Sequence, residues 1–198
     1  MTNRFQNLTP ERLTRTDILN VAAQHGLLPA HIAAVAAVEG AGAGFLPDGR
    51  PKILFEAHIF SRLTGHKFDR SHPAISSPKW NRALYQGGAR EYDRLEAAIA
   101  LDETAALSSA SWGLFQVLGT NHRACGFSTV GEFVRAHVNG GEGAHLRAAV
   151  AFMAANGLVD RLRKGDWAGF ANGYNGPGYA ANKYDQRLRQ EFLRAGDK

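Results

Sequence analysis

The chain has 198 residues, 44% hydrophobic and 21% charged, with a formal net charge of +5 at pH 7. This suits one globular domain, residues 1–198, with ample material for a core. No apolar run approaches the ~20 residues that cross a bilayer, and MTNRFQNLTPERL lacks the apolar stretch of a signal peptide. Its one cysteine, Cys125, has no partner for an internal disulfide and suits a reducing compartment. The positive charge favours polyanions (nucleic acid, anionic membrane, cell-wall polymer) without choosing among them.

In chain order, a first helix is predicted from Thr16–Asp17 to Gly26, and Pro29 opens a second that carries His31 to Glu39. In GFLPDGRPKILFE, Asp48–Gly49 separates two short apolar runs and predicts a small β-hairpin. Helical spacing resumes over 55–64, and 66–88 is rich in loop residues. Further helices are predicted from Ala89 to Ala106, from Ser111, from a Thr129/Glu132 capping box, over 142–156, from Asp166, and over 178–194. Helices with one small hairpin or sheet pushed to one side make an α+β, mostly α-helical fold.

Three stretches carry chemistry. Ile32, Val35 and Glu39 share a helix face, so Glu39 points where core residues point. It also sits in the last turn, where the helix dipole is negative. Both effects raise a carboxyl pKa and suit a general acid; the plainer alternative is a solvated helix-end Glu. In ASWGLFQV, Ser111 can cap a helix burying Trp112, Leu114, Phe115 and Val117. Gln116 is then the lone polar side chain in the run, serving either a substrate or the core. In NGYNGPGYAANKY, Tyr174 and Asn175 stand among glycines that allow close approach of a ligand, or simply make an interhelical turn.

Taken together and in this order, a Glu ending an apolar helix, G-L-F-Q and Y-N-G resemble the lysozyme superfamily, in particular its goose-type and lytic-transglycosylase branches. DGRPKILFEAHIFSRLTG, residues 48–65, resembles the N-acetylmuramidase domain of phage endolysins more closely still. The resemblance runs from about Asp17 to Phe192. It implies a lysozyme-like fold with a sheet flanking a cleft, and hydrolysis of the β-1,4 bond between N-acetylmuramic acid and N-acetylglucosamine; no cofactor or metal is expected. Glu39 falls at the family's catalytic Glu. Gln116, Tyr174 and Asn175 match its motifs, and Ser111 and Phe115 accompany them as substrate-binding candidates. Phe115 replaces the usual Met, and Gly40 stands where transglycosylases usually have Ser.

Glycoside hydrolysis generally uses two carboxyl groups. Asp48 lies in a Glu-x8-Asp spacing that resembles other phage lysozymes, although their following Thr is here Leu54, and Asp before Gly also suits a turn. Glu56 ends an apolar strand inside the best family match; its plainer roles are a cap or an ion pair with Arg50 or Arg62. Glu56 is preferred, Asp48 second, and Asp102 and Glu103 rank low on a helix surface. The eight histidines lack metal-ligand spacing; His58 is expected to pack beside the cleft or to hydrogen-bond Glu56 or its surroundings.

Rival readings remain. A lytic transglycosylase needs one carboxylate and leaves anhydro ends. A non-catalytic wall-binding module is usually smaller. Residues 15–40 resemble a helix-turn-helix, but the second helix offers no Arg, Lys, Asn or Gln to a base or phosphate. The expected partner is peptidoglycan, met by a monomer, with possible weak contact between the cationic terminal helix and anionic membrane. That helix is expected to dock through Leu188, Phe192 and Leu193. The enzyme is expected to wait in the host cytoplasm for release by a holin or secretion machine.

Overall fold

The computed structural model describes residues 4–40 and 42–196. Its elements are α1 (Arg15–Gln24), α2 (Pro29–Glu39), β1 (Ile53–Phe55), α3 (Ala57–Leu63), α4 (Glu91–Ile99), α5 (Glu103–Ser108), β2 (Ala110–Trp112), β3 (Val117–Leu118), α6 (Val130–Asn139), α7 (Gly141–Ala155), α8 (Leu158–Arg163), α9 (Trp167–Asn175) and α10 (Tyr184–Gly196). Helices thus surround a small antiparallel sheet of order β1-β2-β3, the α+β arrangement expected.

Helix α1 starts one residue earlier than predicted. Thr14 and Asp17 form a capping box, the Asp17 N–H donating to Thr14 Oγ1 and the Thr14 N–H to Asp17 Oδ2. Pro29 opens α2, whose Ala30, Ile32, Ala34, Val35 and Val38 are all buried. Full burial of an Ile or Val side chain stabilises by roughly 1.5–3 kcal/mol, so α2 is a central pillar. Helix α10 lies along it. Leu188 is fully buried, and the Phe192 ring stacks on His31 at 4.5 Å. Leu193, expected to dock with them, is instead 55% exposed; positions i and i+4 share a face that i+5 leaves. The helix is also shorter than predicted. Residues Pro177–Asn182 form a 3-10 turn, and Lys183 is left-handed with φ 52°.

The sheet departs from the sequence reading. Around Asp48–Gly49 the hairpin reduces to one bridge, Phe45 with Pro51. Strand β1 pairs instead with β2, in the register Ile53–Trp112, Leu54–Ser111 and Phe55–Ala110. Strand β2 then pairs with β3 through Ser111–Leu118 and Trp112–Val117. Residues 110–117 are therefore a strand, a turn and a strand rather than a Ser111-capped helix. Gly113 (φ 71°) and Gln116 (φ 50°) take backbone conformations no α-helix allows. Ile53, Phe55, Ala110 and Trp112 face the core. By strand alternation Leu54, Ser111 and Leu118 face the other way.

The predicted Ala89–Ala106 helix is two helices. The chain breaks after α4, and Asp102 caps α5 by accepting from the Ala105 N–H at 2.9 Å. Glu103 pairs with Arg4 at 2.7 Å. Between α3 and α4 runs the long 64–90 connection, tied down by a buried ion pair. Glu91 and Arg94, 0% and 3% exposed at their side chains, meet at 2.8 Å. Glu91 accepts from the backbone N–H groups of Phe55, Gln86 and Gly87, and Arg94 donates to the carbonyls of Phe55 and Ala74. One pair therefore fixes the middle of the loop and its second end against the end of β1.

Candidate active site

Glu39 is the last residue of α2. The chain turns at Gly40, whose N–H donates to the Ala36 carbonyl at 3.1 Å. A Cβ at position 40 would lie 2.5 Å from that carbonyl oxygen and 3.3 Å from Leu114 Cγ, which accounts for Gly rather than Ser at this position. The chain beyond it is held by two residues one turn apart on α7. Glu142 accepts from the N–H groups of Gly44 (2.7 Å) and Leu13 (2.9 Å) and pairs with Arg12. Burial opposes the charge on Glu142, but these donors outweigh it and hold the carboxyl below its ordinary range.

His145 braces the facing wall. Its Nδ1 accepts from the Leu114 N–H at 3.1 Å, and its Nε2 is 2.8 Å from the His137 carbonyl, to which it donates. Phe45 stacks on the ring at 4.9 Å. Gly113 passes so close that a Cβ there would lie 2.6 Å from Nδ1. Burial pushes the His145 and His137 imidazoles down to about 4 and about 3, so both are neutral at pH 7.

Between these walls lies a cleft of ≈ 320 Å³ whose lining includes Glu39, Phe115, Gln116, Leu118, Tyr174 and Asn175. Burial raises the Glu39 carboxyl pKa; a hydrogen bond from Asn175 and the charge of Arg187 oppose it without cancelling it. Asn175 Nδ2 donates to Glu39 Oε1 at 3.0 Å. Tyr174 stacks on Phe170 at 5.7 Å, and its hydroxyl is 3.4 Å from the Phe115 carbonyl it faces. Burial, and next the Glu39 carboxylate, push its pKa upward. Of the predicted residues, then, Glu39, Phe115, Gln116, Tyr174 and Asn175 meet in one place. Ser111 stands behind Gln116: its hydroxyl donates to Gln116 Oε1 at 2.9 Å. The Gln116 amide donates to the carbonyls of Gly113 (2.8 Å) and Lys52 (3.1 Å), so its polar atoms stiffen the cleft wall.

Asp48 is not among the residues lining the cleft. It takes the backbone N–H and the guanidinium of Arg50, at 3.0 and 2.7 Å, and that guanidinium lowers its pKa. Arg50 in turn lies over the Tyr92 ring, 4.2 Å from its centroid. Glu56 sits two residues beyond Leu54, so alternation carries it to the same sheet side as Ser111 and the cleft-lining Leu118. Its partners are neither Arg50 nor Arg62. Tyr85 Oη donates to Glu56 Oε2 at 2.6 Å, and His58 Nδ1 lies 3.3 Å from the same oxygen. Burial, and next Glu56, push the Tyr85 phenol up to about 12. Tyr85, His145, Glu142 and the Glu91–Arg94 pair escaped the sequence reading, because nothing local in the chain signals contacts 29 to 98 residues away.

Comparison with known proteins agrees with this fold. The sequence pattern of the N-acetylmuramidase family matches residues 28–196, a span that holds every cleft-lining residue. The chain is also similar to the crystal structure of the Burkholderia AP3 phage endolysin. There the TM-score is 0.90 and the identity 38%, over 97% of this chain and 74% of that one. No curated protein sequence matches. The helical fold with its small three-strand sheet is thus shared with a phage endolysin, and the chain belongs to the N-acetylmuramidase family of glycoside hydrolases.

Proposed function

We propose that this protein is an endolysin-type muramidase that cleaves the β-1,4 bond between N-acetylmuramic acid and N-acetylglucosamine, with Glu39 as general acid and Glu56 as second carboxylate. The observation that carries the reading is Glu39 itself: the one carboxylate among the cleft-lining residues, with its pKa raised by burial. In its protonated form, which burial favours, Glu39 gives its proton to the leaving glycosidic oxygen. Glu56 stabilises the oxocarbenium-like state or activates the water that ends as the new hydroxyl. Asn175 orients the acid. Asp48 is committed to its turn and ranks behind Glu56.

Residues 1–198 act as one catalytic domain and as a monomer on glycan strands of the host wall. The enzyme reaches that wall from the host cytoplasm at lysis, and the exposed arginines of α10 add weak attraction to anionic surfaces. A second reading, lytic transglycosylase, is favoured by one observation: the cleft lining includes a single carboxylate. Mass analysis of sugar ends released from purified sacculi separates the two. Reducing N-acetylmuramic acid ends are expected, whereas ends lighter by one water would establish the transglycosylase. Glu56→Gln is expected to lose most hydrolysis and Asp48→Asn to retain it; the reverse pattern would transfer the second role to Asp48.

A further inference from the structure

Trp80 is 60% exposed, yet it is not a loose surface side chain. Its indole N–H donates to Tyr85 Oη at 2.8 Å, and the two rings meet edge to face at 6.4 Å. The same Tyr85 hydroxyl donates to Glu56 at 2.6 Å. The connection bearing both rings is fixed from several sides. The Ser77 N–H donates to the Ala57 carbonyl, Asn81 caps the short turn at Arg82–Leu84, and Glu91 holds the N–H groups of Gln86 and Gly87. An aromatic face presented to solvent in one orientation, two hydrogen bonds from a carboxylate on the cleft side of the sheet, has the chemistry of a pyranose platform. Apolar sugar C–H groups cover the ring, while its polar edge is already satisfied. Lys79 and Arg82 flank it in the chain.

We propose that Trp80 is a substrate-binding residue that seats an N-acetylhexosamine ring of the glycan strand beyond the scissile bond, and that Tyr85 is a positioning residue joining this platform to Glu56. The second half rests on the assignment of Glu56 made above; the first does not.

The direct test is acrylamide quenching of tryptophan fluorescence in the Glu39→Gln protein, titrated with chitotetraose. Trp112 is fully buried and Trp167 is partly buried against the core, so the Trp80 contribution is read as the difference between this protein and Trp80→Phe in the same background. The saccharide should protect it, and a Trp80→Phe change in the same background should abolish the protection. Kinetics on solubilised glycan strands give the second readout. Trp80→Ala should raise KM about tenfold, the upper end of what a stacked aromatic contact supplies, and Trp80→Phe should restore it. Tyr85→Phe should lower kcat and leave KM unchanged. Absence of protection together with an unchanged KM in Trp80→Ala would overturn the platform. If Glu56→Gln retained full kcat while protection of Trp80 persisted, the link to catalysis would fall and the platform would stand.

Discussion

Asn175 and Glu39 are 136 residues apart in sequence and joined by one hydrogen bond. Because the donated N–H favours the carboxylate, it works against the burial that raises the Glu39 pKa. Asn175→Ala should therefore have two opposed signatures. The alkaline limb of the kcat profile, set by loss of the Glu39 proton, should move to higher pH, while kcat at the optimum should fall because the acid is no longer aimed. A limb that stayed in place would break the assignment of Glu39 as the titrating acid. Glu39→Gln should lower kcat by about 10²–10⁴, the usual contribution of a positioned acid, measured as release of sugar ends. At Gly113 the constraint is steric as well as conformational: the residue has φ 71°, and a Cβ would meet the His145 ring. Gly113→Ala should destabilise the fold by about 1–3 kcal/mol, read from urea unfolding.

At the scale of elements, the cleft is assembled by contacts between segments that lack rigidity of their own. Strands of two and three residues do not persist alone. They are held because Phe55 gives both its backbone groups to Glu91 and Arg94, and because α7 supplies His145 to the turn after β2. Arg94→Leu would leave the Glu91 carboxylate buried without its charge partner. The expected loss is about 3–5 kcal/mol, with new proteolytic cuts confined to 64–90 at low protease. Intact protease resistance in that segment would mean the pair is not its anchor. Helix starts were legible where a side chain caps its own helix: Thr129 and Glu132 form the box their spacing foretold, and Asp166 caps α9. The 110–117 stretch was not legible, since a short apolar run has no periodicity that separates strand from helix.

For the whole molecule, two buried neutral imidazoles set the acid limit. His137 and His145 lie with ring centroids 4.8 Å apart, and their folded pKa values fall to about 3 and about 4. The unfolded chain takes up these protons near pH 6.5, and the folded chain resists until about 4. Stability should therefore fall as pH drops from about 6.5 toward 4. Asp48, Glu91 and Glu142, whose pKa values are lowered by folding, add their losses at still lower pH. A urea midpoint constant between pH 6.5 and 4.5 would contradict neutral buried histidines. The net charge of +5 should also draw the protein to anionic wall polymer. Clearing of sacculi should slow as salt rises, because exposed charges are screened within about 8 Å at physiological ionic strength; a rate indifferent to salt would remove charge from the account.

The sequence by itself determined the α2 pillar with a carboxylate at its end, the helical class of the fold, and a second cluster holding Tyr174 and Asn175. Those features rest on local periodicity, on turn chemistry and on a motif order that survives without coordinates. Only the tertiary structure decided that Asn175 is the donor to Glu39, that Ile53–Phe55 pairs with 110–112 rather than with its own hairpin, that Asp48 is committed to Arg50, and that Tyr85 and Trp80 stand behind Glu56. Apart from Asp48 with Arg50 and Trp80 with Tyr85, these pairings join residues distant in sequence, and the Asp48–Arg50 pair is chosen by the turn and the Tyr92 ring packed on Arg50. Burial and register exist only once the whole chain has collapsed around a common core, and no local window of sequence carries them.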